Sequence, residues 1–230
     1  MKLKSVFLFV IITKLLGQNI TGTVTVTDID GNIYKTIKIG EQWWMAENLK
    51  VKHYRNGDLI PNVAGPSEWC SLSKGAWCTY DNKEEFAHKY GYLYNWFAIE
   101  DNRNIAPENW HVPNNEEWQV LIDYLGGFFY AGGKMKANGN LKDGTGLWDP
   151  PNEDATNESG FSALPSGGRP SFITTCVEMG EFAIFWASTE YDSTKAWIRT
   201  LVHDSPGTGN LYINIGCSWI SSKRKRTSNS

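Results

Sequence analysis

Trp110-His111-Val112-Pro113-Asn114-Asn115-Glu116-Glu117-Trp118 is the stretch on which the reading of this chain turns. Pro113 fixes its own φ and favours an extended residue before it, so Val112 leaves a strand or loop. Asn114 is a good N-cap, and Glu117, three residues on, can complete a capping box. Trp118, Leu121, Ile122 and Leu125 then fall at i, i+3, i+4 and i+7, the apolar face of a helix. Gly126-Gly127 supplies the left-handed residue that ends it. The spacing predicts one main helix near 115–125 on which the rest of the chain packs.

Outward from this helix the chain reads as short β segments. Thr23 to Thr27 alternates and is rich in β-branched residues, as in a strand. Asp30-Gly31 turns it into a return strand over Ile33–Ile39, with Ile33, Lys35, Ile37 and Ile39 on one face, which Lys35 interrupts so that only partial cover is expected. Gln42 to Met45 is a third strand and Val51 to Tyr54 a fourth. Residues 56–83 are loop-like, and Lys83 to Lys89 suits a helical turn. Ala131 to Asn152, with many Gly and Asn and two consecutive Pro, predicts long loops, where binding function often sits. Further strands are expected at Ser159–Leu164, Phe182–Ser188, Trp197–Val202 and Leu211–Trp219. There is no internal repeat. The expectation is an α+β fold of short antiparallel strands, one main helix and long loops, as a single domain over 22–220.

Eleven Trp, ten Tyr and ten Phe in 230 residues either fill the core of an irregular fold or line a sugar-stacking face. Residues 1–17 read as a secretory signal: Lys2 and Lys4 precede a short apolar run from Val6 to Ile12, too short to span a bilayer. No Cys follows that run, so no lipoprotein anchor is read, and no later stretch has the length of a membrane span. A secreted or cell-surface protein is therefore expected. Removing Lys2, Lys4 and Lys14 takes the formal charge from −3 to about −6. That balance argues against nucleic acid as a partner. Lys223-Arg224-Lys225-Arg226 is the exception, read as part of a solvated basic tail over 221–230.

Four cysteines, Cys70, Cys78, Cys176 and Cys217, permit disulfides in an exported protein. Cys70 and Cys78, close in sequence, are the first pair to expect. No spacing has a zinc pattern, and no cofactor motif is present: the paired glycines Gly126-Gly127, Gly132-Gly133 and Gly167-Gly168 lack the context of a phosphate loop. Asp28, Asp30 and Asn32 fail the calcium-loop pattern, because Gly31 is fourth and Ile39 stands where a Glu is needed. No metal site is expected. His111 is a possible base or ligand, but a His between Trp and Val more often packs with its nitrogens satisfied. Glu116 and Glu117 are adjacent and diverge on a helix, so they cannot flank one glycosidic bond. Glu47 and Glu190 could each project into a site, though no spacing demands it.

Several stretches together resemble the Fibrobacter succinogenes major paralogous domain. They are Val26 to Thr36, Trp44-Met45-Ala46-Glu47-Asn48-Leu49, Gly91-Tyr92-Leu93-Tyr94-Asn95-Trp96, Trp110 to Trp118, Asn157 to Pro165, and Phe185-Trp186-Ala187-Ser188-Thr189-Glu190. The resemblance implies an exported bacterial domain of unassigned biochemistry. The Pro-then-helix motif is similar to that of formylglycine-generating-type enzymes, which implies an irregular C-type-lectin-like architecture. The thiol pair of those oxidases has no counterpart in Cys176 and Cys217. Two departures stand out. The family's Cys-Pro before the Trp-His-Val-Pro motif is here Ala106-Pro107. Its closing Val-Arg-Cys strand is replaced by Trp219 to Arg226, so a bridge between those cysteines, if the family makes one, is absent and the last strand is expected to be lost.

Three readings follow. The first is a non-catalytic binding module for carbohydrate, a polysaccharide or cell-surface glycan, or for another surface ligand, with Trp148, Asp149, Arg169, Tyr191 and Asp192 as ligand-binding candidates. Trp and Tyr rings stack on sugar faces, and Asp and Arg bond hydroxyls. The bland alternative is that Trp148 and Tyr191 pin their own loops. The second reading is a glycan-active or oxidative enzyme, and the third a structural surface domain. Oligomeric state is not legible.

Overall fold

Asp28 shows how the chain begins to fold. Its carboxylate accepts hydrogen bonds from the amides of Asp30 and Asn32 and from the Asn32 side chain, at 2.9–3.0 Å, and from the Tyr34 hydroxyl at 2.5 Å. The turn's own donors thus take up both oxygens, and Gly31 supplies the positive φ of 81°. The computed structural model describes residues 24–169, 177–214, 218–220, 222–223 and 225–226. The expected leader over 1–17, Cys176 and Cys217 lie outside them.

In chain order the elements are β1 (Thr25–Thr27), β2 (Ile33–Ile39), β3 (Gln42–Met45), α1 (Pro66–Cys70), β4 (Trp77–Cys78), α2 (Glu84–Tyr90), β5 (Leu93–Tyr94), α3 (Trp96–Glu100) and β6 (Trp110–His111). They continue with α4 (Asn115–Tyr124), α5 (Ala131–Met135), β7 (Ser166–Arg169), β8 (Val177–Met179), β9 (Phe182–Asp192), β10 (Lys195–Val202), β11 (Gly209–Asn214), β12 (Trp219–Ile220) and β13 (Lys225–Arg226). One sheet has the order β1-β2-β3-β13-β6. The other runs β11-β10-β9-β7-β12-β5-β4, with β8 on β7, and is antiparallel except where β7 meets β9. The architecture is α+β and mainly β.

The predicted helix is α4. Asn114 Oδ1 accepts the Glu117 amide at 2.8 Å, and the Glu117 carboxylate accepts the Asn114 amide at 3.0 Å, which is the capping box. Trp118, Leu121, Ile122 and Leu125 are buried, while Val120 and Tyr124 on the opposite side are exposed. Trp118 tilts against Trp44 and stacks on Phe185. Gly126 and Gly127 both have positive φ. Gly132 and Gly133, read as loop glycines, instead lie in α5. A Cβ on Gly132 would stand 2.0 Å from the Gly207 carbonyl oxygen, so only glycine permits this approach.

Six of the eleven Trp, namely Trp44, Trp69, Trp96, Trp118, Trp148 and Trp186, are fully buried, which assigns most of the large rings to the core. β9 divides that core. Ile184 and Trp186 face one cluster with Tyr94, Trp96 and Ile198. Ala183, Phe185 and Ala187 face the other, with Trp118, Trp148 and Phe161. A strand covered on both faces reads as a continuous apolar run, as Phe182–Ala187 does.

Several expectations are corrected. In β2 the buried residues are Tyr34, Thr36 and Ile39, while Ile33 and Lys35 are exposed. The phase changes along the strand because Tyr34 enters the first cluster and Ile39 the second. Val51–Tyr54 makes only an isolated bridge, His53 with Leu59. Ser159–Leu164 is a loop with positive φ at Gly160 and Ser162, and the strand starts after Pro165, which has no N–H to donate. Leu211–Trp219 divides into β11 at a sheet edge and β12 between β7 and β5. Cys70 ends α1 with an exposed side chain and makes no disulfide, whereas Cys78 points inward from β4, so the Cys70–Cys78 bridge is not formed.

The largest correction concerns the end of the chain. The basic segment is not a solvated tail at its described residues: Ser222, Lys223 and Lys225 are buried. β13 lies between β3 and β6, with Lys225 opposite both Trp44 and His111. Lys223 Nζ donates to the carbonyls of Ala46 and Phe161, each at 2.6 Å. The closing strand is present, built from lysine and arginine. Main-chain pairing asks only for N–H and C=O groups, so a basic segment can supply it.

Candidate functional site

The β9–β10 hairpin and β11 carry the most exposed aromatic cluster of the sheets. Between the pairs Asp192–Lys195 and Glu190–Ala196, β9 spends one more residue than β10, namely Tyr191. Such a bulge re-aims a side chain. The Tyr191 ring stacks on Tyr212 of β11, with centroids 3.9 Å apart and planes at 11°. Trp197, opposite Tyr212 in the β10–β11 ladder, meets both rings edge-on at 5.1 and 5.9 Å. Lys195 Nζ lies 5.1 Å from the Tyr212 centroid and 5.9 Å from that of Tyr191. Tyr191 is 45% exposed and Tyr212 47%, so the stack keeps nearly half its surface in water.

Asp192 closes this hairpin. Its Oδ1 accepts the Thr194 hydroxyl at 2.7 Å and the Thr194 amide at 2.8 Å, and these bonds hold its carboxyl below the usual aspartate range. Behind the rings, Arg199 is buried. It donates to the side chain of Asn210 and to the carbonyl and side-chain oxygens of Asn115. It thereby ties β10 to the start of α4, where Thr189 Oγ1 accepts the Asn115 amide at 2.9 Å. Burial lowers the guanidinium to about 10 against the pull of Glu116.

The five candidates do not converge. Trp148 is fully buried; its indole N–H donates to the Ala163 carbonyl at 3.1 Å, and Lys136 Nζ lies 5.5 Å from its ring. It pins its loop and is corrected as a ligand-stacking residue. Asp149 sits beside the β8–β9 turn, its amide bonded to the Gly180 carbonyl at 2.8 Å. Arg169 is in β7, paired with Trp219 of β12. Only Tyr191 and Asp192 share a place. Trp197, Tyr212 and Lys195 were missed. The signal for Lys195 and Trp197 is the alternation Lys195-Ala196-Trp197-Ile198, which sets them on the face opposite the buried Ala196 and Ile198.

The acid–base candidates are spread over separate places. His111 Nε2 and Glu117 Oε2 are 2.8 Å apart, and Lys225 Nζ is 2.9 Å from Glu117 Oε1. Burial alone would raise the Glu117 carboxyl. The bonds from His111, Lys225 and the Asn114 amide outweigh it and hold the group at about 2. Glu47 accepts the Lys35 amide at 2.6 Å, far along the chain from this cap. Glu190 is exposed at the end of β9 and acts on Glu100, whose carboxyl is raised by burial and by Glu190 and Asp101. Among the described residues no cluster of His, Cys, Asp and Glu could hold a metal ion, and no helix is long and apolar enough to cross a membrane.

No solved structure and no curated protein matches the chain. A family model does match it, over residues 37–226, from β2 to the end of β13, and so includes the closing basic strand. The chain belongs to the family described as the Fibrobacter succinogenes major domain.

Proposed function

We propose that this protein is an exported, non-catalytic module that binds a polysaccharide or cell-surface glycan through the Tyr191–Tyr212–Trp197 surface. The observation that carries the reading is the exposed, nearly parallel Tyr191–Tyr212 stack, flanked by Trp197 and rimmed by Lys195. Solvent-facing rings held by cross-strand partners offer a rigid apolar face at little entropic cost, which suits the apolar face of a pyranose. The leader-like segment over 1–17 supports export. The Pro113-then-helix motif on a mainly β body supports a C-type-lectin-like arrangement, a reading by analogy that does not assign the ligand.

Affinity electrophoresis of the purified protein against a panel of plant and bacterial polysaccharides tests this. Retardation by at least one polysaccharide is expected, with loss of about tenfold or more in affinity for Y191A/Y212A and no change in thermal stability beyond about 1 kcal/mol, since both rings are half exposed. Equal retardation of the double variant removes the surface from the reading.

A second reading, a glycan-active enzyme, is favoured by the raised carboxyl of Glu100 beside Glu190. Reducing-end assays on the same panel decide between them: new reducing ends that vanish in E100Q would establish turnover.

A further inference from the structure

A concavity of about 200 Å³ lies between the end of α2, the connection after β3 and the loop before β7. It shares no residue with the tyrosine surface. Its charge is one-sided: Lys35, Lys50 and Lys89 line it with a single carboxylate, Glu47, and His88 stands beside them. That carboxylate already accepts the Lys35 backbone amide. Among the described residues none of these three ammonium groups has a carboxylate within 4.0 Å, whereas those of Lys38, Lys52, Lys134, Lys195 and Lys225 each have one. Basic residues in the last turn of a helix complement its dipole, which accounts for His88 and Lys89 in α2. It does not account for Lys35, which comes from β2, or Lys50, which follows β3. Like charges that lack carboxylate partners repel one another around a concavity and focus a field that draws in an anion, even with Lys50 Nζ 5.9 Å from the Tyr34 ring centroid.

The second observation is independent of charge. Asn48 lines the same cavity and is 6% exposed. Its Nδ2 donates to the Tyr90 carbonyl at 2.9 Å, while its Oδ1 has no hydrogen-bond partner among the described residues. A buried acceptor left unmatched is destabilising, so it calls for a donor from whatever fills the cavity. The close approach that sets Asn48 there depends on Gly91, where a Cβ would lie 2.8 Å from the Asn48 Cβ and 2.7 Å from the Leu49 carbonyl oxygen. Four of the stretches that carry the family resemblance meet at this one place, through Lys35, Asn48, Gly91 and Ser162.

We propose that this cavity binds a monosaccharide unit carrying one negative group, whether free or at the end of an acidic glycan. The lysines receive the anion, and Asn48 Oδ1 accepts a sugar hydroxyl. The inference borrows from the glycan-binding reading only the class of ligand. Isothermal titration of the full chain with glucuronate, galacturonate and glucose 6-phosphate tests it, with glucose, acetate and inorganic phosphate as controls and a uronic-acid oligosaccharide to separate free from terminal units.

Binding by at least one sugar acid is expected, weakening as salt rises because the attraction is ionic. K35Q/K89Q, both at exposed side chains, should weaken it about tenfold while leaving the melting curve in place. Y191A/Y212A should leave it unchanged even where that variant no longer binds polysaccharide, so the two sites fail separately. N48A should lose the preference for sugar acid over acetate. Equal binding of glucose, or of acetate or phosphate alone, overturns the proposal, as does full binding by a folded K35Q/K89Q.

Discussion

Glu117 carries three duties with one carboxylate: it closes the helix cap, and it pairs with His111 and with Lys225 of the last strand. Replacing it with alanine removes the reciprocal cap and leaves the 11%-exposed Lys225 side chain without its partner, so E117A should cost about 2–3 kcal/mol. Glutamine can still accept the Asn114 amide, so E117Q should cost roughly half as much, and urea titrations at pH 7 measure both. The pH dependence has a definite sign. The folded carboxyl sits at about 2, below its ordinary 4.5, so its stabilisation is fully present above that ordinary value and is lost as pH falls toward 2. E117A should therefore show a flatter stability profile between those limits. An identical acid slope in wild type and E117A would show that the carboxylate is not held down by these contacts.

At the scale of elements, the deciding piece is the short β13. It pairs with β3 on one side and β6 on the other, and its neighbour Lys223 reaches through to Ala46 and Phe161. Burial pushes the Lys223 ammonium well below the usual lysine range, against the pull of Glu47. A chain ending at Ile220 loses both ladders and leaves the Trp44 and His111 strands as open edges. We expect that truncation to lose its cooperative thermal transition and to be cut rapidly by protease, in contrast with the full chain. A truncated protein that melts at the wild-type temperature would return residues 221–230 to the status of a tail. The same logic explains why α4 forms: its four apolar residues meet Trp44, Phe161 and Phe185 from three distant segments, and packing rather than local propensity supplies most of a ten-residue helix's stability.

For the molecule as a whole, β9 is the shared wall. Because Trp186 belongs to one cluster and Phe185 to the other, neither cluster can come apart without disturbing the strand that covers its partner. Unfolding should therefore be a single transition in which tryptophan fluorescence and far-UV circular dichroism coincide. W186A and F185A should each lower stability by about 3–5 kcal/mol, the usual cost of deleting a large buried ring, and each should keep the transition single. Separate transitions by the two probes, with one variant shifting only one of them, would divide the molecule into two folding units.

The capped helix, the Asp28–Asn32 hairpin and the apolar run of β9 were legible in the chain alone, because each is written in near neighbours: a cap three residues from its partner, a turn of fixed chemistry, an unbroken apolar stretch. The family was legible in the order of its separated motifs. The remainder depended on long-range contacts. Whether Trp148 was buried and Tyr191 exposed depended on what lay across from each, Ala163 for the first and Tyr212 for the second. A run of Lys and Arg looked like a tail because charge predicts solvation. It became a strand because Glu117 and two carbonyl oxygens from distant segments met its ammonium groups, and no local pattern records such partners.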